Sequence, residues 1–446
     1  MLSGSVLLLV IVVMIALLII LVSKVKLNAF LALILVSIIM GLASGMPAQD
    51  VINTVTGGFG KLMGYIGIVI ALGVIIGEVL ETTGAAEKIA NSVLKVIGRD
   101  RSALAMGITG GLVSIPVFCD SGFVILNPII RAISRVGKVP IMTLSAALMA
   151  GLLTTHVFVP PTPGPIAAAG ILGADLGKVV LYGIIVSIPT IIFSVLWANS
   201  KFLRNKFPKV VEGPAEDLLS DMKVEKDVKS PSTFRSYLPI LIPIVLIVLQ
   251  SFSKQLLGDE STLGTFLAFI GHPVIALGIG TILAFTLAPK LGGEVLDTWV
   301  GRALEKSTII LLVTAAAGSF GGILKATGVG EYLGEIISQW GVPGILIPFL
   351  ISAFVLTAQG SATVAILTTS AIVQPMLGAL GLSPELAVLA IGAGAVTVVH
   401  ANGSYFWVVT KFSEMDITEG YWCVTMTTLV MGITGFISVA ILSLFV

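Results

Sequence analysis

Apolar stretches recur from one end of this 446-residue chain to the other. Most run for about 20 residues, enough to cross a bilayer core as a helix. Only 11% of the residues are charged, whereas a soluble globular domain carries about a quarter. A soluble core of ordinary size does not read this way. The chain reads as an all-α polytopic membrane protein. The first run, Ser5 to Val22, lacks a basic start and an Ala-x-Ala cleavage site, and a second apolar run follows at once. It reads as the first membrane helix and not as a signal peptide.

Ten full crossings are expected, at about 4–22, 27–45, 60–82, 140–173, 176–200, 237–257, 266–289, 307–326, 384–413 and 420–445. Two further apolar segments, about 102–136 and 342–380, carry a polar break in the middle: Cys119-Asp120-Ser121-Gly122 in one, Gln359-Gly360-Ser361 in the other. These read as re-entrant helical hairpins. Amphipathic stretches, 84–98 and 328–340, precede them. Lys201 to Arg235 is charged and contains Pro208, Pro214 and Pro231, so it reads as a solvated cytoplasmic connector.

The two halves are related. A shift of 244 positions superposes Gly57 on Gly301, Gly77 on Gly321, Thr83-Gly84 on Thr327-Gly328, Pro140 on Pro384 and His156 on His400. The chain therefore divides into a first repeat (1–200), a linker (201–236) and a second repeat (237–446). Each repeat has five crossings and one hairpin. Five is odd, so the second repeat is expected upside down relative to the first, a common plan for secondary transporters. With the N-terminus outside, 21 of the 25 Lys and Arg residues fall on the cytoplasmic side, and only Lys61, Lys178, Lys254 and Lys325 fall outside. The positive-inside rule thus predicts a plasma-membrane protein with both termini outside.

Non-helical backbone survives inside a bilayer only where protein or a wet cavity satisfies it. Four such breaks are expected, two per repeat in corresponding places: Phe118 to Gly122, Val159 to Pro165, Ala358 to Ala362 and Ala401 to Ser404. After each break a helix restarts, and its free N–H groups favour an anion. The residues at the breaks are the candidate substrate-binding set: Asp120, Ser121, Gly122, Thr155, His156, Thr162, Gly164, Gln359, Gly360, Ser361, Thr363, His400, Asn402 and Ser404. Thr154 belongs to the same group of hydrogen-bonding side chains. An intramembrane carboxylate is costly and marks function, so Asp120 is the first candidate for proton coupling. It serves equally as a cap for the returning hairpin arm. His156 and His400 suit proton relay or carboxylate contact, or are satisfied structural residues. Glu78 is a further candidate on the proton path, and Glu81 is expected to reach the cytoplasmic interface.

Several function classes drop out. Net charge is +1, which offers nothing to nucleic acid, and Cys119 and Cys423 form no CxxC pair or metal spacing. There is no Walker A sequence, no HExxH and no GxSxG. No metal, cofactor or enzymatic activity is expected.

The breaks resemble those of the GntP family of gluconate permeases, within the ion-transporter superfamily. The resemblance rests on Pro116-Val117-Phe118-Cys119-Asp120-Ser121-Gly122-Phe123-Val124 and His156-Val157-Phe158-Val159-Pro160-Pro161-Thr162-Pro163-Gly164-Pro165. It rests equally on Ala358-Gln359-Gly360-Ser361-Ala362-Thr363-Val364-Ala365 and His400-Ala401-Asn402-Gly403-Ser404-Tyr405-Phe406-Trp407. It covers essentially the whole chain. It implies proton-coupled uptake of gluconate-like sugar acids or, in some relatives, D-serine, by a homodimer with an elevator-like movement of the hairpin-bearing part. Gluconate-type members resemble His-x-x-x-Pro-Pro-His-Pro at the second break, where this chain has Thr162. They tend to carry an acid at the position of Gly403. The expected function is proton symport of a small organic acid into the cell. The alternatives are a sodium-coupled carrier or exchanger of a small carboxylate or D-serine-like amino acid, and then a membrane-embedded enzyme or channel.

Overall fold

The computed structural model describes residues 4–212, 231–257, 261–328 and 342–446, all helices and connections with no strand among them. The first half comprises α1 (Gly4–Ser23), α2 (Ala29–Ala43), α3 (Ala48–Thr82), α4 (Ala85–Ile97), α5 (Ser102–Val113), α6 (Cys119–Gly137), α7 (Ile141–Phe158), α8 (Pro163–Leu172), α9 (Leu176–Ala198) and α10 (Lys201–Lys206). The second comprises α11 (Thr233–Leu257), α12 (Thr262–Ile270), α13 (Pro273–Phe285), α14 (Val300–Ala326), α15 (Leu346–Gln359), α16 (Ala362–Val373), α17 (Pro384–Gly394), α18 (Ser404–Phe412), α19 (Ile417–Gly420) and α20 (Met426–Leu442). A π-helical turn, Glu294–Trp299, leads into α14, and another, Tyr421–Thr425, leads into α20.

Seven described helices are long and apolar enough to cross a membrane, eight if the bent pair α12–α13 counts as one span. The other two expected crossings are made of shorter pieces. Segment 27–45 is the 15-residue α2, about 22 Å long. Segment 384–413 is divided into α17 and α18 by the break after Gly394. Segment 266–289 bends by 61° between α12 and α13, where Pro273 opens a new helix in the first-turn position it favours.

Two expected boundaries also move. The crossing placed at 60–82 begins at Ala48 and runs 35 residues, about 52 Å. The one placed at 307–326 begins at Glu294. Gln49, Asn53 and Thr56 looked like loop, but they are the exposed face of a helix whose other face buries Val51 and Val55.

Both hairpins form. α5, α15 and α16 have 12, 14 and 12 residues, too short to span a bilayer core alone. The amphipathic stretch 84–98 is α4. Its partner at 328–340 lies outside the described residues apart from Gly328. In the connector, Lys209 is tied to the body, its carbonyl accepting from Ile141 N at 2.9 Å and its Nζ donating to the Glu414 carbonyl at 2.8 Å.

Helix boundaries recur at the offset found in the sequence. Adding 244 to α3 gives 292–326, against Glu294–Ala326; adding it to α2 gives 273–287, against Pro273–Phe285. The matched helices α3 and α14 pack along their length and run antiparallel. Val55 accepts from Ser319 at one end (2.7 Å), and Glu78 meets Arg302 at the other (2.8 Å).

Close approach of backbones holds the helices together. Apolar side chains gain little by leaving lipid for protein, so packing falls to small residues. Gly107, Gly110 and Gly111 of α5 lie against Gly151 and its neighbours on α7. All 18 residues of α7 are buried, the signature of a helix at the centre of the molecule.

Where α3 crosses α14, a Cβ on Gly58 would stand 2.5 Å from the Gly318 carbonyl oxygen, whereas one on Gly57 meets nothing within 4 Å. Gly58→Ala is therefore expected to destabilise the fold by about 1–3 kcal/mol. Gly57→Ala should raise stability by up to about 1 kcal/mol, the helix-propensity difference. Thermal unfolding of the two variants in detergent checks the opposite signs.

Candidate functional site

The first break is the turn Ser114–Phe118, closed by the Ser114 hydroxyl donating to the Val117 carbonyl at 3.1 Å. α6 restarts at Cys119, with Asp120 in its first turn. The Asp120 carboxylate accepts from the Cys119 thiol at 3.6 Å, and no described cation forms an ion pair with it. Asp120, Phe123 and Asn127 follow at i, i+3 and i+7, one face of α6. Ser121 is half-buried, and Gly122 lies tight against Leu152 of α7.

The second break follows His156 at the end of α7. The Thr162 hydroxyl donates to the Val159 carbonyl at 2.7 Å, and α8 begins at Pro163. Thr155 donates to the Gly151 carbonyl at 3.4 Å. Gly164 approaches Ile366 of α16, and Gly73 of α3 approaches Pro161.

The third break is short. Gly360 takes a left-handed conformation (φ 86°), Ser361 caps Val364 N, and the Gln359 amide donates to the Ser361 carbonyl. Thr363 is half-buried in the first turn of α16. The fourth break, from Ala395 to Gly403, ends in α18 with Ser404 exposed at its start.

The breaks are linked by contacts. The Thr357 carbonyl, just before the third break, accepts from His400 Nε2 at 2.9 Å and Asn402 Nδ2 at 3.0 Å. A carbonyl only accepts, so Nε2 carries the proton. Gly360 packs on Asn402, and Gly403 on Gly360. The fourth break meets the first hairpin through an edge-to-face contact of Tyr405 with Phe123, ring centroids 6.4 Å apart. Contacts thus run from the Asp120 arm through Tyr405, Gly403 and Gly360 to α16, and on to Gly164.

Three of the four restarting helices present several free N–H groups, and α8, after the second break, presents one. α8 opens Pro163-Gly164-Pro165. Proline has no N–H, and Ile166 N already bonds the Thr162 carbonyl, so only Gly164 is left to donate. That break is a rigid wall more than an anion site.

Several buried polar atoms around the breaks have no partner: Thr154 Oγ1, His156 Nδ1, Asn402 Oδ1, Tyr405 OH and Asn127 Nδ2. Buried polar groups are normally satisfied, so these mark where a polar ligand or water fits. Asn127 and Tyr405 were not among the sequence candidates. The signal was present: Asn127 lies two helical turns from Asp120, and Tyr405 directly follows Ser404.

Glu78 is placed differently. Its carboxylate is buried and held by Arg302 Nε at 2.8 Å and Lys306 Nζ at 2.6 Å, with Glu81 3.4 Å from Lys306. Its neighbour Gly77 abuts the Pro116 carbonyl, but the acid itself faces α14. No group of three or more His, Cys, Asp or Glu residues that could hold a metal occurs among the described residues. Two cavities lie away from the breaks: an apolar one of about 580 Å³ between α9 and α20, and one of about 640 Å³ beside α4 and α6.

Comparison with known proteins places this architecture. The profile described as GntP family permease matches residues 6–445. An uncharacterized permease of Haemophilus influenzae is 38% identical, over 93% of this chain and 88% of its own length. A gluconate permease of Pseudomonas aeruginosa is 31% identical, over 95% of both. Among solved structures, Neisseria gonorrhoeae MtrF, described as one of a class of antimetabolite efflux pumps, superposes with a TM-score of 0.69 at 16% identity, over 95% of this chain and 96% of that one. At that identity the likeness concerns the fold alone.

Two outcomes follow. Glu78→Gln leaves Arg302 without its carboxylate and Lys306 with only Glu81, and should cost about 2 kcal/mol, read as a lower unfolding midpoint. Gly403→Ala places a methyl group 2.5 Å from the Gly360 carbonyl oxygen, so the tip between α15 and α16 must lift. A cysteine introduced by A358C should then react with a membrane-impermeant thiol reagent several-fold faster than in the Gly403 parent.

Proposed function

On the premise that the chain belongs to the GntP family of permeases, we propose that it is a proton symporter that carries a small sugar acid of the gluconate class into the cell. One observation carries this reading. The four breaks adjoin one another, lined by free helix N-termini and unpartnered polar atoms, with Asp120 as their only carboxylate. The N-termini of α6, α16 and α18 suit the substrate carboxylate. Asn402, Tyr405, His156 and Thr154 suit its hydroxyls. Thr162 and Gly403 shape the same region and bear on which acid is taken.

The coupling follows from charge. An ionised Asp120 repels an arriving carboxylate at close range, most strongly where water is excluded. A protonated Asp120 does not, and its O–H can donate to the substrate. Proton and anion therefore bind together and leave together. His156 and His400 stand on either side of the breaks as relays.

Differences between the two halves at matched positions support an alternating carrier. His400 and its repeat mate His156 occupy equivalent positions, yet His400 bonds the Thr357 carbonyl while His156 Nδ1 has no partner. Gly360 is packed on Asn402, whereas its counterpart Pro116 is packed on Gly77 of α3. In an inverted-repeat carrier, exchanging the two conformations turns the site to the other face. The antiparallel α3 and α14 support that inversion, and the distribution of basic residues supports termini outside. In the same reading the chain is a homodimer whose hairpin-bearing parts move against the remainder.

Proteoliposomes test the proposal. Labelled gluconate should accumulate under an inward proton gradient and not under a sodium gradient alone. Asp120→Asn should abolish uphill uptake while retaining counterflow exchange, because the amide stays neutral as the loaded carboxyl does. If Asp120→Asn accumulates substrate as well as the parent, Asp120 is a cap only and the coupling assignment fails.

A further inference from the structure

The second cavity, about 640 Å³, lies within the usual size range of ligand sites. One wall is the amphipathic α4, where Lys88, Ser92 and Lys95 follow at i, i+4 and i+7 and so share a face. Ser102, the first residue of α5, adds to this polar side. The opposite wall is apolar, with Ile133 and Val136 from the last turns of α6.

The charge on this cavity is one-sided. None of its lining residues is Asp or Glu, and neither lysine forms an ion pair with any described residue. Val96, beside Lys95, is 86% exposed, and Val136 is 47% exposed. An amphipathic helix that presents lysines and bare valines side by side suits the boundary between headgroups and acyl chains. Cationic rim and apolar wall together match an amphiphile with an anionic head.

We propose that this cavity is a binding site for an anionic phospholipid of the cytoplasmic leaflet. The phosphodiester lies between Lys88 and Lys95 with Ser102 beside it, and an acyl chain lies along Ile133 and Val136; the Ser92 hydroxyl is engaged with the Ile89 carbonyl (2.7 Å) and Tyr237 OH (2.8 Å) and only borders the site. The site is separate from the helix breaks and independent of which substrate is carried. Because the cavity is bounded by α4 and by both arms of the first hairpin, an occupied site braces that hairpin against α4.

The test uses the purified full chain in detergent, titrated with phosphatidylglycerol, phosphatidylcholine or glycerol 3-phosphate, and reads the unfolding midpoint. Phosphatidylglycerol should raise it, and the other two should not. The double variant Lys88→Gln/Lys95→Gln should weaken the apparent lipid affinity roughly 30-fold, at about 1 kcal/mol per lysine. Its lipid-free midpoint should match the parent, which separates lost binding from lost folding. Val136→Trp fills the cavity while keeping both lysines, and it should lose the response as well. A full response in Val136→Trp would mean that surface charge alone attracts lipid, and the site is then wrong. An equal response to phosphatidylcholine, or a response to glycerol 3-phosphate as large as to lipid, overturns it too.

Discussion

A polypeptide in hydrocarbon cannot leave its N–H and C=O groups bare, and this constraint organises the molecule. Four stretches of this chain interrupt their helices at positions where flanking apolar sequence would otherwise span. Each interruption releases backbone groups that need partners. The structure meets part of that demand by bringing the interruptions together. Thr357 gives its carbonyl to two side chains of the fourth break, and Ser361, Ser114 and Thr162 each close a local turn. Several buried side-chain atoms nearby, Thr154 Oγ1, His156 Nδ1 and Asn402 Oδ1 among them, are left without a partner.

Glycine makes this arrangement possible. With no hydrophobic drive between helices in lipid, the backbones must come close enough for dispersion and for contacts through small residues. α5 against α7, and α3 against α14, meet at glycines where a methyl group would collide with a carbonyl oxygen. The same device acts at the site. Gly403 has an ordinary φ of −96°, so its conformation does not call for glycine. The approach of Gly360 does. At Gly360 itself the positive φ is also required.

The ion cluster of Glu78, Glu81, Arg302 and Lys306 joins the matched helices α3 and α14. A buried carboxylate with two cations is electrostatically satisfied, whereas Asp120 is not. That difference sets Glu78, which ties α3 to α14, apart from Asp120. The pair of histidines tells a similar story: equal positions in the sequence repeat, unequal partners in the fold.

Much was legible in the chain itself. The membrane class and the neighbourhood of each break come from local properties: apolar run length, and proline or glycine where a helix cannot continue. The first break nevertheless falls at Ser114–Phe118, ahead of the expected 118–122, because Cys119-Asp120-Ser121-Gly122 opens α6, and the fourth opens at Ala395, ahead of the expected Ala401. Asp120, His156, His400 and Asn402 could be singled out because polar residues are rare in such surroundings. Other features depended on contacts between distant segments. Polar residues 48–59 extend α3 because Val51 and Val55 find α2 and α14, and no local pattern says so. Glu78 reads in the sequence as a candidate on the proton path, and its partners Arg302 and Lys306 lie more than two hundred positions away, where no local pattern points to them. Asn127 and Tyr405 are ordinary helix residues in the sequence, and only the packing of their helices buries each with an unpartnered polar atom. Hydropathy and backbone chemistry act along the chain and can be read there; which distant side chains become partners is decided in three dimensions, because it depends on how the helices pack.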